Sequence, residues 1–250
     1  MSDPSRRHFL QVASFATAGT VLVDAVQAAD KVEGVADVSA LIPAFAPVHK
    51  PAPLSFDPAK LNGLSEKLIR SHWENNYGGS VKTLNAVKQK LAQALADKDT
   101  PPFLYDDLKR EHLMRTGSVV FHELYFGNLG GNGTADAELR KQIGAAFGDF
   151  DAWETEFRRV GAGLGGGSGW VVLGYNLHSG QIENYWLADH LHAPAATLPL
   201  LVMDMYEHSY QMDYGAAAAK YIDAFFRNIR WESVAERLAY ARRAVSGKPS

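Results

Sequence analysis

The sequence predicts an α+β protein, in which an N-terminal α-helical hairpin precedes an α+β domain with a small antiparallel sheet. Between about residues 65 and 126, apolar residues recur three and four positions apart, which is the period of an amphipathic helix. The second half contains two short strand-like runs around a glycine-containing turn, with further helical segments on both sides. Helices alone in one half, and helices with strands in the other, are typical of this class.

Composition narrows the classes of function. The chain has 250 residues, of which 46% are hydrophobic and 21% charged, as in an ordinary globular protein with a substantial core. Its formal net charge of −3 does not favour a nucleic-acid-binding surface. It contains no cysteine, so any metal would have to be held by nitrogen and oxygen. Apart from the N-terminus, no run is apolar over the length that a stable membrane span requires.

The first 28 residues have the pattern of an export signal. The segment Ser5-Arg6-Arg7-His8-Phe9-Leu10 resembles the twin-arginine motif, and a mildly apolar run with small residues near Ala28 follows it. We therefore expect the twin-arginine machinery to export a chain already folded in the cytoplasm, into the periplasm or the medium. The alternative is a frayed basic terminus, and whether the signal is cleaved stays open.

The predicted hairpin domain spans residues 59–133. Before it, residues 29–58 are rich in proline without a sustained period, which predicts an extended arm. One helix is expected from about 65 to 95, where "DKDTPP" interrupts it, and a second from about 105 to 126. Two long helices joined by a short break indicate a helical hairpin.

The predicted C-terminal domain spans residues 134–250. A helical region is expected over 135–160, with Asp149 or Asp151 as an N-cap. The runs "GWVVLGYN" and "QIENYWLAD" predict two strands joined by the turn "LHSG". We expect helix again at about 203–212, and two further helices complete the chain.

The segment "LLVMDMYEHSYQMDY", residues 200–214, places charged side chains in an apolar and aromatic setting. On the predicted helix, Asp204 and His208 stand four positions apart and would share a face. A carboxylate buried on that face is costly unless something pairs with it. A salt-bridged helix end and a metal site would each explain it.

His72, His122 and His208 resemble one another in their surroundings, because each lies among aromatic residues within a predicted helical block. Each buried polar group needs a partner, and one shared cation would satisfy all three histidines and Asp204 together. Three imidazoles and one carboxylate suit iron, manganese or zinc. From the residues alone, a metal site and a buried polar network both remain open.

Five segments, collinear along about residues 60–240, resemble the iron/manganese superoxide dismutases. They are "LSEKLIRSHWENNYGGSVKTLN", "FHELYFGN", "FGDFDAWETEFRRVGAGLGGGSGW", "LPLLVMDMYEHSYQMDY" and "FFRNIRWESVAERL". The resemblance implies that His72, His122, Asp204 and His208 bind one iron or manganese ion, with a solvent molecule as fifth ligand. It also implies that superoxide is disproportionated to dioxygen and hydrogen peroxide, and that Glu207 reaches His208 of the partner subunit in a homodimer. Iron is slightly favoured over manganese, and pairing of dimers into a tetramer is left open.

Other positions depart from the family's usual pattern. Ser80 stands where a tyrosine commonly guards substrate entry, Asn76 replaces a usual histidine, and Gln211 replaces the tyrosine that pairs with it across the interface. For the outer-sphere donor to bound solvent we nominate His190, with Asp189 as the alternative. The altered gateway keeps a second hypothesis open, an exported metal-binding family member with weak or no dismutase activity.

Overall fold

The computed structural model describes residues 42–246 as a helical N-terminal part followed by an α+β part, which confirms the predicted fold class. The predicted export signal and residues 29–41 of the predicted arm lie outside the described residues. Among the described helices, none combines the length and the apolar character needed to cross a bilayer.

The helices and strands follow one another in this order: α1 (Glu66–Ser71), a π-helical segment (His72–Tyr77), α2 (Gly78–Ala96), α3 (Pro102–Gly127), α4 (Ala137–Phe147), α5 (Phe150–Leu164), β1 (Trp170–Asn176), β2 (Gln181–Leu187), β3 (Thr197–Asp204), α6 (Gln211–Tyr214), α7 (Ala218–Arg227) and α8 (Trp231–Ser246). Short 3-10 turns occupy residues 43–45, 58–60 and 207–209. The hairpin is thus formed by the segment from α1 to α2 packing against α3.

The first arm of the hairpin departs from a uniform helix at His72. Ser65 starts the arm as an N-cap, and its hydroxyl accepts the Leu68 N–H at 3.1 Å. The same serine donates its backbone N–H and its hydroxyl to Asp213, each at 2.7 Å, which ties this helix start to the C-terminal part. The π-helical segment then begins at His72. Such segments are rare and change the direction in which side chains point, often at functional sites.

The described part of the predicted arm is fastened to the hairpin. The backbone N–H of His49 donates to Asn85 Oδ1 at 3.1 Å, and Asn85 Nδ2 donates back to the His49 carbonyl at 2.9 Å. Trp73 Nε1 donates to the Ala52 carbonyl at 2.9 Å, and the Ala52 N–H donates to the Tyr77 hydroxyl at 2.7 Å. The arm therefore lies against the helical stretch that carries His72.

The sheet contains three antiparallel strands in the order β2-β1-β3. The two predicted strands are present, but the prediction of one helix at about 203–212 is wrong: residues 197–204 form β3, residues 207–209 form a 3-10 turn, and α6 begins only at Gln211. In the register of the sheet, Asp204 pairs with Trp170 of β1. A short continuous apolar run fits a buried strand as well as a helix, and only the pairing partner distinguishes them. Asp204 and His208 therefore share no helical face; a strand end and a 3-10 turn carry them.

Two polar side chains define element ends in the C-terminal part. Asp149 is the N-cap of α5 and accepts the Ala152 N–H at 2.7 Å, which selects it over Asp151. The fully buried Asn128, at the end of α3, accepts the Val202 N–H at 3.1 Å through its side-chain oxygen. That bond occupies a donor on the outer edge of β3, so α3 is joined to the strand that ends at Asp204.

Candidate metal centre

His72, His122, Asp204 and His208 converge on one buried point. Their potential ligand atoms all lie within 4.8 Å of one another. The Nε2 atoms of His72, His122 and His208 lie 3.1, 3.6 and 3.3 Å from Asp204 Oδ2. The hairpin supplies two of the four side chains and the C-terminal part supplies the other two, so the fold rather than any local motif assembles the cluster.

Hydrogen bonds to the rest of Asp204 leave its Oδ2 atom facing the histidines. The Tyr206 N–H donates to Asp204 Oδ1 at 2.8 Å. The Tyr221 hydroxyl and Ser209 Oγ donate to the Asp204 carbonyl at 2.6 and 3.0 Å. The carboxylate is thus fixed in orientation, with one oxygen held by the backbone and the other directed into the cluster.

The tautomer of His122 follows from its hydrogen bonds. Its Nδ1 atom lies 2.7 Å from the Ser118 carbonyl oxygen, one turn earlier on α3. A carbonyl can only accept, so Nδ1 carries the proton and Nε2 presents a lone pair to the cluster. Ser118 Oγ lies 3.3 Å from the same nitrogen and 2.8 Å from Ser80 Oγ, and both serines are buried.

The unpaired atoms of the cluster fit a cation. Within the described part of the chain, His72 Nε2, His122 Nε2, His208 Nε2 and Asp204 Oδ2 are buried and have no hydrogen-bond partner. The nitrogens are near the carboxylate oxygen but not aligned for a hydrogen bond to it. Buried polar atoms are rarely left unpaired. A metal ion among them would satisfy all four, and three nitrogens with one oxygen and no thiolate suit iron, manganese or zinc.

The electrostatics of the cluster favour the protonation states that ligands need. Burial, with a smaller contribution from the neighbouring His72, lowers the pKa of His122 to about 3. Burial also lowers the pKa of His72. For Asp204, burial acts to raise the pKa, but His208 and His72 outweigh it and hold the pKa below its usual value. The imidazoles of His72 and His122 are therefore neutral and the Asp204 carboxylate is ionised near pH 7, as metal binding requires.

His190 lies beside the cluster with its own defined tautomer. Trp170 Nε1 donates to His190 Nδ1 at 3.0 Å, and an indole nitrogen can only donate. Burial lowers the pKa of His190 to about 4, so the ring is neutral at pH 7 and its single proton sits on Nε2. The ring centroid lies 5.9 Å from that of His122, and the ring stacks on Tyr206 at 4.6 Å. His190 thus presents an N–H donor at the edge of the site.

Asp189, the alternative to His190, uses its carboxylate elsewhere. Its Oδ1 atom accepts the Leu191 N–H at 2.7 Å and lies 2.8 Å from His192 Nδ1. Both contacts are within its own loop. Of the two candidates for the outer-sphere donor, the structure therefore places only His190 in contact with the aromatic surroundings of the cluster.

The remaining residues singled out from the sequence lie at different depths. Ser80 is buried against Ser118, whereas Asn76 is half-buried. Glu207 and Gln211 are exposed, on either side of the position where the His208 side chain reaches the surface. The altered gateway therefore combines one small buried hydroxyl with positions that face outward.

Comparison with known proteins leads to the same family. Residues 135–237 match the family described as iron/manganese superoxide dismutases, C-terminal domain. A protein of Cupriavidus metallidurans named superoxide dismutase (Fe) is 50% identical over 196 residues, which cover 78% of this chain and 99% of that protein. The chain belongs to the iron/manganese superoxide dismutase family.

Other members of the superoxide dismutase family are more distant and carry either metal in their names. A superoxide dismutase (Fe) of Aquifex aeolicus is 37% identical over 205 residues, covering 79% of this chain and 95% of that protein. A superoxide dismutase (Mn) of Mycolicibacterium smegmatis is 32% identical over 188 residues, covering 74% and 89%. The relatives of this superoxide dismutase family member are accordingly named for either iron or manganese.

Two supporting residues were not found by sequence reasoning. Ser118 stands four positions before His122 on the same helix, a spacing that could have indicated it. Tyr221 reaches the Asp204 carbonyl from α7, and no local pattern in the sequence marks that contact.

Proposed function

We propose that the chain disproportionates superoxide at a single iron or manganese ion held by His72, His122, Asp204 and His208. The observation that carries this proposal is the convergence of three unpaired Nε2 atoms on one carboxylate oxygen. The names of the relatives give the reaction, and the 50% identical relative named for iron slightly favours iron. In the balanced reaction, one superoxide is oxidised to dioxygen, and a second, with two protons, is reduced to hydrogen peroxide.

The protein's own groups have defined tasks in this reaction. A bound iron or manganese ion would supply the one-electron chemistry of both halves. Asp204 contributes the negative charge of the ligand set. The hydrogen bond from the Tyr206 N–H to its Oδ1 atom keeps Oδ2 directed into the cluster. His190 holds a proton on Nε2, from which it donates a hydrogen bond to a solvent molecule or substrate within the site.

Metal content and superoxide consumption, measured on the same purified sample, test the proposal. Stoichiometric iron or manganese with rapid, metal-dependent consumption supports it. Metal binding without turnover would favour the alternative, a metal-binding member of weak activity, which the departures at Ser80, Asn76 and Gln211 suggest. Absence of both metal and turnover from a folded sample would contradict each of them.

The same proposal includes a homodimer. His208 differs from the other three side chains of the cluster, because 25% of it is exposed in a single chain, beside the exposed carboxylate of Glu207. A Glu207 carboxylate from a second copy would accept the free N–H of His208 and complete the site. Sedimentation of wild type and Glu207→Ala tests this: we expect a dimer for the wild type and a weakened dimer for the variant. A monomeric, fully active wild type would overturn it.

Export through the twin-arginine machinery, with a periplasmic or extracellular destination, completes the proposal. It is supported by the pattern Ser5-Arg6-Arg7-His8-Phe9-Leu10. Fractionation of cells that express the full chain should find it outside the cytoplasm, and the double variant Arg6→Lys, Arg7→Lys should retain it inside. Equal distribution of both forms would contradict export by this route.

A further inference from the structure

We infer that Gly117 is a positioning residue for His190, because the missing side chain at position 117 lets the His190 backbone lie directly against α3. The inference rests on the proposed role of His190 as the N–H donor beside the metal centre. In this inference, Gly117 sets the distance between the His190 donor and the four metal-binding side chains, although it is not itself one of the metal-binding residues.

The contact at Gly117 leaves no room for a side chain. A Cβ atom built there would lie 1.9 Å from the carbonyl oxygen of His190 and 3.0 Å from its carbonyl carbon. Carbon and oxygen atoms that are not bonded do not approach much below about 3.3 Å. The atoms in the way belong to the backbone, so they cannot rotate aside as the end of a long side chain can. An alanine at 117 would have to push the loop around His190 away from α3.

Gly117 closes the third side of the space that holds His190. Trp170 Nε1 fixes the imidazole through Nδ1, and Tyr206 stacks on its face. These two contacts orient the His190 ring, whereas the contact with Gly117 sets how closely the loop that carries His190 can approach α3. Because α3 also carries His122, one rigid helix spaces both the donor and a metal-binding side chain.

The expected consequence is specific. Moving His190 outward would lengthen or break the hydrogen bond that its Nε2–H offers to the site. The four metal-binding side chains and their own hydrogen bonds would stay in place. The variant should therefore retain metal while the midpoint potential of that metal changes, since outer-shell donors tune the potential.

A control variant separates this effect from the general consequences of adding a methyl group to a helix. Gly163 lies on α5, and a Cβ built there meets nothing within 4 Å. Alanine is a better helix former than glycine, so Gly163→Ala should fold at least as well as the wild type. Its metal content, midpoint potential and turnover should equal those of the wild type.

The test compares the metal-loaded wild type, Gly117→Ala, His190→Ala and the double variant by metal content, midpoint potential and superoxide consumption. We expect Gly117→Ala to keep its metal, to shift the midpoint potential, and to lose turnover on the order of tenfold, as for other outer-shell changes. If Gly117 acts through His190, the double variant should match His190→Ala alone in potential.

Three results with the Gly117→Ala substitution would overturn the inference. These are a wild-type potential in Gly117→Ala, a potential shift in the double variant that is the sum of the single shifts, and a Gly117→Ala protein that does not fold. If His190→Ala itself leaves the potential unchanged, the role of His190 fails and the inference with it. The dismutase proposal is judged separately, by the metal-dependent turnover of the wild type.

Discussion

Asp204 Oδ2 has three imidazole nitrogens around it, and a backbone N–H holds the other oxygen of the same carboxylate. At the scale of single residues, the site depends on this geometry more than on any one histidine. A neutral side chain of the same shape would keep the packing but would remove the negative charge that the cation needs.

Asp204→Asn should therefore abolish metal retention without unfolding the protein. We expect metal affinity to fall by more than the roughly 10–100-fold typical of outer-shell changes, because a ligand itself is altered. Elemental analysis after gel filtration measures this. Asp189→Asn is the matched control, since that carboxylate bonds only within its loop, and it should retain metal. Equal metal content in both variants would contradict the ligand role of Asp204.

Ser118→Ala should lower stability and leave metal content unchanged. The backbone carbonyl of Ser118 would still accept the His122 Nδ1 proton, whereas the buried Ser80 hydroxyl would lose its partner. Leaving a buried hydroxyl unpaired costs about 1–3 kcal/mol. Urea unfolding measures the loss, and Ser80→Ala combined with Ser118→Ala should recover part of it. A double variant as unstable as the sum of the two single variants would show that the hydroxyls are not coupled.

The sequence was sufficient to single out the four side chains that cluster. Aromatic surroundings mark the three histidines, and a carboxylate in an apolar segment marks Asp204. The resemblance to the family nominated His190 over Asp189, but no local pattern decided between them, since both stand in the same loop. What separates them is Trp170, whose indole N–H lies on another strand and fixes the tautomer of His190. Such a choice depends on contacts between elements and is invisible in spacing.

At the scale of elements, the helix predicted over 203–212 fails for an instructive reason. Its first two residues, Met203 and Asp204, end a strand whose residues 200–202 are apolar and fully buried, so this run carries neither the alternation of an exposed strand nor enough length for a helical period. Pairing with β1 decides the outcome, and it comes from a segment about thirty residues earlier in the chain. By contrast, the N-cap of α5 is a local feature and was among the two candidates read from the sequence.

Asp149→Ala should destabilise the protein by about 1 kcal/mol, because the Ala152 N–H would lose its acceptor at the start of α5. Asp149→Asn provides the control, since asparagine caps about as well. Thermal or urea unfolding of the three proteins gives the difference. An alanine variant as stable as the asparagine variant would show that the cap contributes little here.

At the scale of the whole molecule, stability of the metal-free protein should depend on pH through His190. Its pKa is lowered from 6.5 to about 4 by burial. Below pH 6.5, His190 therefore binds a proton in the unfolded chain, whereas in the folded chain it stays neutral until the pH approaches 4. The contribution of the neutral His190 ring to the free energy of unfolding is fully present above pH 6.5. It decreases as the pH falls from 6.5 through 4, by up to about 1.4 kcal/mol per pH unit.

Urea unfolding after chelation, from pH 7 to pH 4, measures this dependence. Carboxyl groups also titrate towards the acid end, so the informative quantity is the difference between wild type and His190→Ala. The variant should lose less stability than the wild type over this range. Parallel curves for the two proteins would contradict a buried, neutral His190.

The division of the cluster between the hairpin and the C-terminal part also constrains how the protein is made. A ribosome delivers His72 and His122 well before β3 and the turn that carries His208. The nascent hairpin accordingly emerges with only two of the four candidate ligands, and the set is complete only after the sheet has paired. We therefore expect metal loading to be a late event in biogenesis, governed by the metals present in the compartment where the chain completes its fold.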